Sequence, residues 1–176
     1  MAAVTPLSEE KVTPELHQLY SDMRDNFGIV PNFFAVMARR PGVLKTLLPL
    51  LSQVLDEGTV EPRLKELAYL KASTVNGCQY CTRAHTTAAK RAGVTEEQIQ
   101  EVIFYERSQV FDEKEKATLL FAEQVTRGAA TIRQPTLDLL GKFFTEDEIV
   151  ELTLVIAVAN MTNRISDALQ IPPDLD

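Results

Sequence analysis

The chain has 176 residues, 45% of them hydrophobic, with two cysteines, two histidines and a net charge of −7. That length suits a single domain, residues 1–176, whose core needs no disulfide or metal staple. The acidic balance argues against a nucleic-acid binder, and no apolar run reaches the ~18–20 residues that span a membrane.

The basic scatter of Arg83, Lys90 and Arg91 reads as the solvated face of a helix. The opening MAAVTPLSEEKV has no apolar signal core, so a cytoplasmic location is expected. In that reducing compartment a close cysteine pair points to catalysis or metal binding before it points to a structural disulfide.

The dominant period is helical. Leu16, Leu19, Tyr20, Met23 and Phe27 mark one apolar face, opened by Thr13-Pro14 and stopped by Gly28. A short helix over FFAVM follows Pro31-Asn32, and Pro41 opens the next. Pro49 falls inside that third helix and is expected to kink or interrupt it. Residues 61–75 predict a strong helix that stops at Asn76-Gly77, and another runs from about Cys78 to Ala92. Capping boxes open three later helices at Thr95, Asp112 and Thr145. The last helix covers 146–169 and is apolar over LTLVIAVA. No sustained period-2 alternation is present, so the expected class is all-α, a bundle of about eight or nine helices. One faint echo links LKASTVN to LVIAVAN, each an apolar helical run that ends in Asn.

The chemistry concentrates in NGCQYCTRAH, residues 76–85. Cys78, Cys81 and His85 stand at i, i+3 and i+7, which is one face of a helix. Two thiols at this spacing at a helix start can close a disulfide. A thiol at a helix N-terminus has its pKa lowered by the dipole, which favours Cys78 as the more acidic. An imidazole one turn on can take a thiol proton, which favours Cys81, and we side with Cys81.

Two other readings compete. Cysteine is often a buried small hydrophobe. A closed zinc site needs four ligands; this motif supplies three, and Glu66 or His17 would have to complete it. Upstream, Glu66 sits in the apolar helix EPRLKELAYLKASTVN, either partly buried with a raised pKa or on a solvated side with Lys65. Asn160, Asn163 and Arg164 read either as polar groups that border the site or, the preferred reading, as groups that cap the end of the last helix. Tyr69 and Tyr105 read as core aromatics, and Phe33-Phe34 as a candidate pair for a subunit interface.

These residues resemble the signature of the alkylhydroperoxidase D-like, or carboxymuconolactone decarboxylase-like, family, in which a Glu precedes C-x-x-C-x-x-x-H by about twelve residues. FGIVPNFFAVMARRPGVL, DEKEKATLLFAEQVTR and LVIAVANMTNRISDAL look like its peroxidase-related branch. The resemblance implies an all-helical homo-oligomer, a trimer or a pair of trimers. It also implies thiol-dependent reduction of a small-molecule hydroperoxide without metal or cofactor. A thiol reductant, protein or small molecule, would then reopen the disulfide. In that pattern Cys81 is the peroxidatic thiol, and Cys78 is the resolving one and the reductant's target. His85 and Glu66 form a proton relay, supported by the positions of Tyr80 and Asn76. Where well-described members place a second histidine, this chain has Tyr80, a phenol and a poor proton shuttle near neutral pH. A lactone decarboxylase and a non-enzymatic redox sensor are the competing functions. The cysteine pair argues against the first, and only turnover separates the second.

Overall fold

The computed structural model describes residues 3–174. Among them the regular structure is helical, with no strand. The α-helices in chain order are α1 (His17–Phe27), α2 (Asn32–Met37), α3 (Pro41–Leu55), α4 (Pro62–Asn76) and α5 (Gln79–Arg91). They continue with α6 (Glu96–Glu101), α7 (Glu113–Gly128), α8 (Gln134–Leu140) and α9 (Glu146–Ala168).

The helix ends follow local chemistry. Gly28 and Gly77 close α1 and α4 at φ 78° and 74°, a left-handed backbone that glycine adopts without a Cβ clash. Thr95, Asp112 and Thr145 each form the reciprocal capping box expected of them. Pro49 departs from expectation: α3 runs through it unbroken. The proline removes one N–H, but Leu44, Leu47 and Val54 anchor the helix on both sides of it.

The core is organised around α4, which packs against α5, α7 and α9. Leu64, Leu67, Ala68, Leu70 and Ala72 are buried on it, and Leu152, Val155 and Ile156 of α9 are fully enclosed. Each large apolar side chain of this kind contributes about 1.5–3 kcal/mol. By length and composition α9 would also suit a membrane span, contrary to the reading of the sequence. Its inner face is used otherwise, packed on α4, α7, α3 and α5.

Helix α4 is enclosed so completely that Lys65 and Lys71 are buried too, which leaves no solvated side for Glu66 to share with Lys65. Each ammonium finds partners. Lys65 Nζ meets Glu151 at 2.6 Å and donates to the Val54 carbonyl at 3.0 Å. Lys71 Nζ meets Glu123 at 2.8 Å and lies 4.5 Å from the centre of the Tyr105 ring. A buried charge is tolerated only when paired in this way.

Phe27 also departs from the apolar-face expectation. Leu16, Tyr20 and Met23 are buried, but Phe27 is 53% exposed and its ring stacks 6.5 Å from Phe34. Both rings belong to the rim of a cleft.

Candidate active site

The site lies where α4 ends and α5 begins. Gly77 turns the chain so that Cys78 becomes the N-cap of α5, one step earlier than a first-turn position, and its sulfur accepts the Cys81 N–H at 3.4 Å. The two sulfurs lie 2.6 Å apart, and both cysteines are free thiols. Cys81 faces a cleft of about 900 Å³. Cys78, which the resemblance makes the reductant's target, is fully buried and lies off that cleft.

Phe33, Phe34, Leu51 and Tyr80 supply apolar walls, while Glu66, Tyr69 and His85 line the cleft near the thiol. His85 Nδ1 and Glu66 Oε2 are 2.8 Å apart, and both side chains are mostly buried. Where Nδ1–H donates to the carboxylate, Nε2 is the nitrogen left without a partner among the described residues. The imidazole stacks on Tyr69 with ring centres 3.4 Å apart, and the Tyr69 hydroxyl bonds Thr162. The expected Glu66–His85 pairing is therefore present. Among the described residues, however, His85 makes no hydrogen bond to either sulfur.

The polar partners of Cys81 come from α9. Its sulfur lies 3.6 Å from Ser166 Oγ. Asn163 is fully buried one turn earlier; its Oδ1 accepts from Asn76 Nδ2 at 2.8 Å and its Nδ2 donates to Ser73 Oγ at 3.1 Å. Asn76 Nδ2 also donates to Asn160 Oδ1 at 3.1 Å. The asparagines of the LKASTVN and LVIAVAN echo thus meet face to face, and Asn163 is an interior strut rather than a capping amide. Arg164 bonds back to Asn160 on the outer side.

The two thiols titrate apart. The hydrogen bond from Cys78 is the largest influence on Cys81; with Ser166 and Asn163 it outweighs burial and lowers the Cys81 thiol to about 7. Cys78, as the donor in that bond and buried besides, is pushed well above the ordinary thiol range. One thiolate shared across the pair therefore resides on the cleft-facing sulfur.

Tyr80 has a structural task. Its hydroxyl donates to Asp174 Oδ2 at 2.9 Å and accepts from the Phe33 N–H at 3.2 Å. Asp174 Oδ1 in turn takes the Asn32 N–H at 2.6 Å, so the C-terminal segment is fastened to the start of α2. Burial drives the Tyr80 phenol far above its ordinary range, which removes it from proton transfer near neutral pH. Tyr80→Phe should cost about 1–2 kcal/mol, since it leaves the Phe33 amide without its acceptor. Faster hydrogen exchange at Phe33 than at Leu44 would register the loss.

Among the described residues no three His, Cys, Asp or Glu side chains converge as a metal site. His17, the proposed extra ligand, is exposed at the start of α1.

Comparison with known proteins agrees with this architecture. The model of the Carboxymuconolactone decarboxylase family matches residues 41–124, from α3 into α7. The uncharacterized protein YdfG of Bacillus subtilis (strain 168) is 27% identical over 114 residues, 64% of this chain and 78% of its own length. An uncharacterized peroxidase-related protein with an alkylhydroperoxidase AhpD core, from Ralstonia eutropha JMP134, has a TM-score of 0.89 at 18% identity. The match covers 98% of this chain and 92% of that one. The debrominase Bmp8, solved as a cysteine variant in complex with 2,3,4-tribromopyrrole, has a TM-score of 0.84 at 23% identity, covering 97% and 91%. Residues 41–124 are thus similar to the carboxymuconolactone decarboxylase family, and the helices adopt the alkylhydroperoxidase D-like fold.

Proposed function

We propose that this chain is a thiol-dependent peroxidase that reduces organic hydroperoxides through a Cys81–Cys78 dithiol cycle. The observation that carries the reading is a pair of thiols in contact, one of which faces an apolar cleft beside a hydrogen-bonded Glu–His pair. The Cys81 thiolate attacks the terminal oxygen of the hydroperoxide. The O–O bond breaks, Cys81 is oxidised to sulfenic acid, and the alkoxide leaves. His85, held by Glu66 through Nδ1, takes up on Nε2 the proton that leaves Cys81 and returns it to the alkoxide, giving an alcohol. The Cys78 thiol then attacks the sulfenic sulfur; the S–S bond forms and water leaves with the Cys78 proton. A thiol reductant supplies two electrons and two protons to restore the pair.

With Cys78→Ser the second step has no nucleophile. One equivalent of hydroperoxide should then leave a sulfenic acid on Cys81 that dimedone traps, visible as a single adduct by peptide mass spectrometry. If no adduct forms while the reduced protein is intact, the peroxidase reading is lost.

The likeness to Bmp8 supports a second substrate class. A soft thiolate facing an apolar cleft is also suited to a halogenated aromatic ring. Bromide release from a brominated pyrrole, with the same cysteine variants, tests it.

A further inference from the structure

We propose that Ser166 joins Cys78 in holding Cys81 as a thiolate, by turning its hydroxyl proton onto the sulfur. The inference deepens the peroxidase reading, but its test needs no peroxide.

Ser166 is 2% exposed on a helix whose inner face is otherwise largely apolar. A buried hydroxyl without a partner is destabilising. The single side-chain hydrogen bond of Ser166 among the described residues is to Cys81 Sγ, at 3.6 Å. With a neutral thiol the serine oxygen accepts. Once the proton leaves, the hydroxyl rotates about its C–O bond and donates to the sulfur, since no other acceptor claims it.

Competing donors are engaged mainly elsewhere. His85 is committed to Glu66 and stacked on Tyr69. Asn163 spends both ends of its amide on Asn76 and Ser73, which pins the rotation of α9 against α4 and so sets the Ser166–sulfur distance. Ser166 acts on the reacting atom itself; Asn163 adds a smaller lowering of the Cys81 thiol and also positions the helix.

Other titratable groups face the thiol from several elements. Cys78 and Tyr80 approach on α5, Tyr69 from α4, and Asp167 from α9, while Glu66 and His85 share the cleft. Burial and Asp167 oppose the thiolate, and the hydrogen bonds from Cys78, then Ser166 and Asn163, favour it.

The experiment is the pH dependence of iodoacetamide alkylation of the reduced protein, with the modified cysteine located by peptide mass spectrometry. Ser166→Ala should raise the Cys81 midpoint by about one pH unit and slow alkylation at pH 7 about fivefold. Ser166→Thr, which keeps the hydroxyl, should return the midpoint most of the way. His85→Ala should move it less than Ser166→Ala does. A midpoint unchanged in Ser166→Ala, or moved further by His85→Ala, overturns the assignment. If Ser166→Ala shifts the titration and the wild-type protein consumes no peroxide, Ser166 keeps its role and the peroxidase reading falls. If peroxide is consumed and the titration is unmoved, the reverse holds.

Discussion

Cys81→Ser is expected to reduce hydroperoxide consumption to the rate of the reductant alone. A serine hydroxyl near neutral pH is neither ionised nor a nucleophile toward peroxide oxygen, and nothing else in the cleft replaces a thiolate. The wild-type rate should climb as pH rises through about 7, the value to which the Cys78 hydrogen bond chiefly lowers the Cys81 thiol. That climb reports the thiolate fraction. The measurement is loss of an organic hydroperoxide with excess dithiol, wild type beside variant, across pH 5.5–9. Equal rates for the two proteins would remove Cys81 from the chemistry and, with it, the proposed cycle.

The largest stability effect is expected far from the thiols. Glu151→Ala should destabilise the fold by about 3 kcal/mol, because it leaves Lys65 as an unpaired buried ammonium. The carboxylate also accepts the Thr59 and Val60 N–H groups at 2.9 and 3.2 Å, which fastens the α3–α4 loop to α9. Gly58 makes room for it, since a Cβ there would collide with the carboxylate. The pH dependence follows from the same contacts. Burial pushes the Glu151 carboxyl up, but Lys65 and the two amides outweigh it and hold the group below its ordinary value of 4.5. A carboxyl depressed in the folded state stabilises above its unfolded pKa, and that contribution is lost as pH falls through the lower folded value. Wild type should therefore lose this increment below about pH 4.5, and Glu151→Ala should not. Urea midpoints at pH 7 and pH 3.5 read both effects. In the Glu151→Ala background, Lys65→Met should recover most of the loss, since it removes the orphaned charge. A Glu151→Ala midpoint equal to wild type at pH 7 would show the pair to be energetically idle.

The local features of the chain were legible in its sequence. Gly28 and Gly77 end helices, and Thr95, Asp112 and Thr145 start them, because a cap acts on its own turn of backbone. The grouping of Cys78, Cys81 and His85 was equally legible, since helical register alone puts them on one face. Pairing Glu66 with His85 came from resemblance, and the packing of α4 on α5 realises it. Three matters lay beyond local rules. A solvated side shared by Glu66 and Lys65 stays open as a reading until α3, α4 and α9 close around Lys65. Tyr80 reads as a replaced histidine until Asp174, 94 residues on, meets its hydroxyl. Ser166 reads as an ordinary helix serine, yet it reaches Cys81 across 85 residues of chain. Helix periodicity reports which residues share a face; which side chain on another helix meets that face depends on how the two are rotated and docked. Here the hydrogen-bonded asparagines of α4 and α9 set that docking, and so the tertiary structure alone decided the environment of the reactive sulfur.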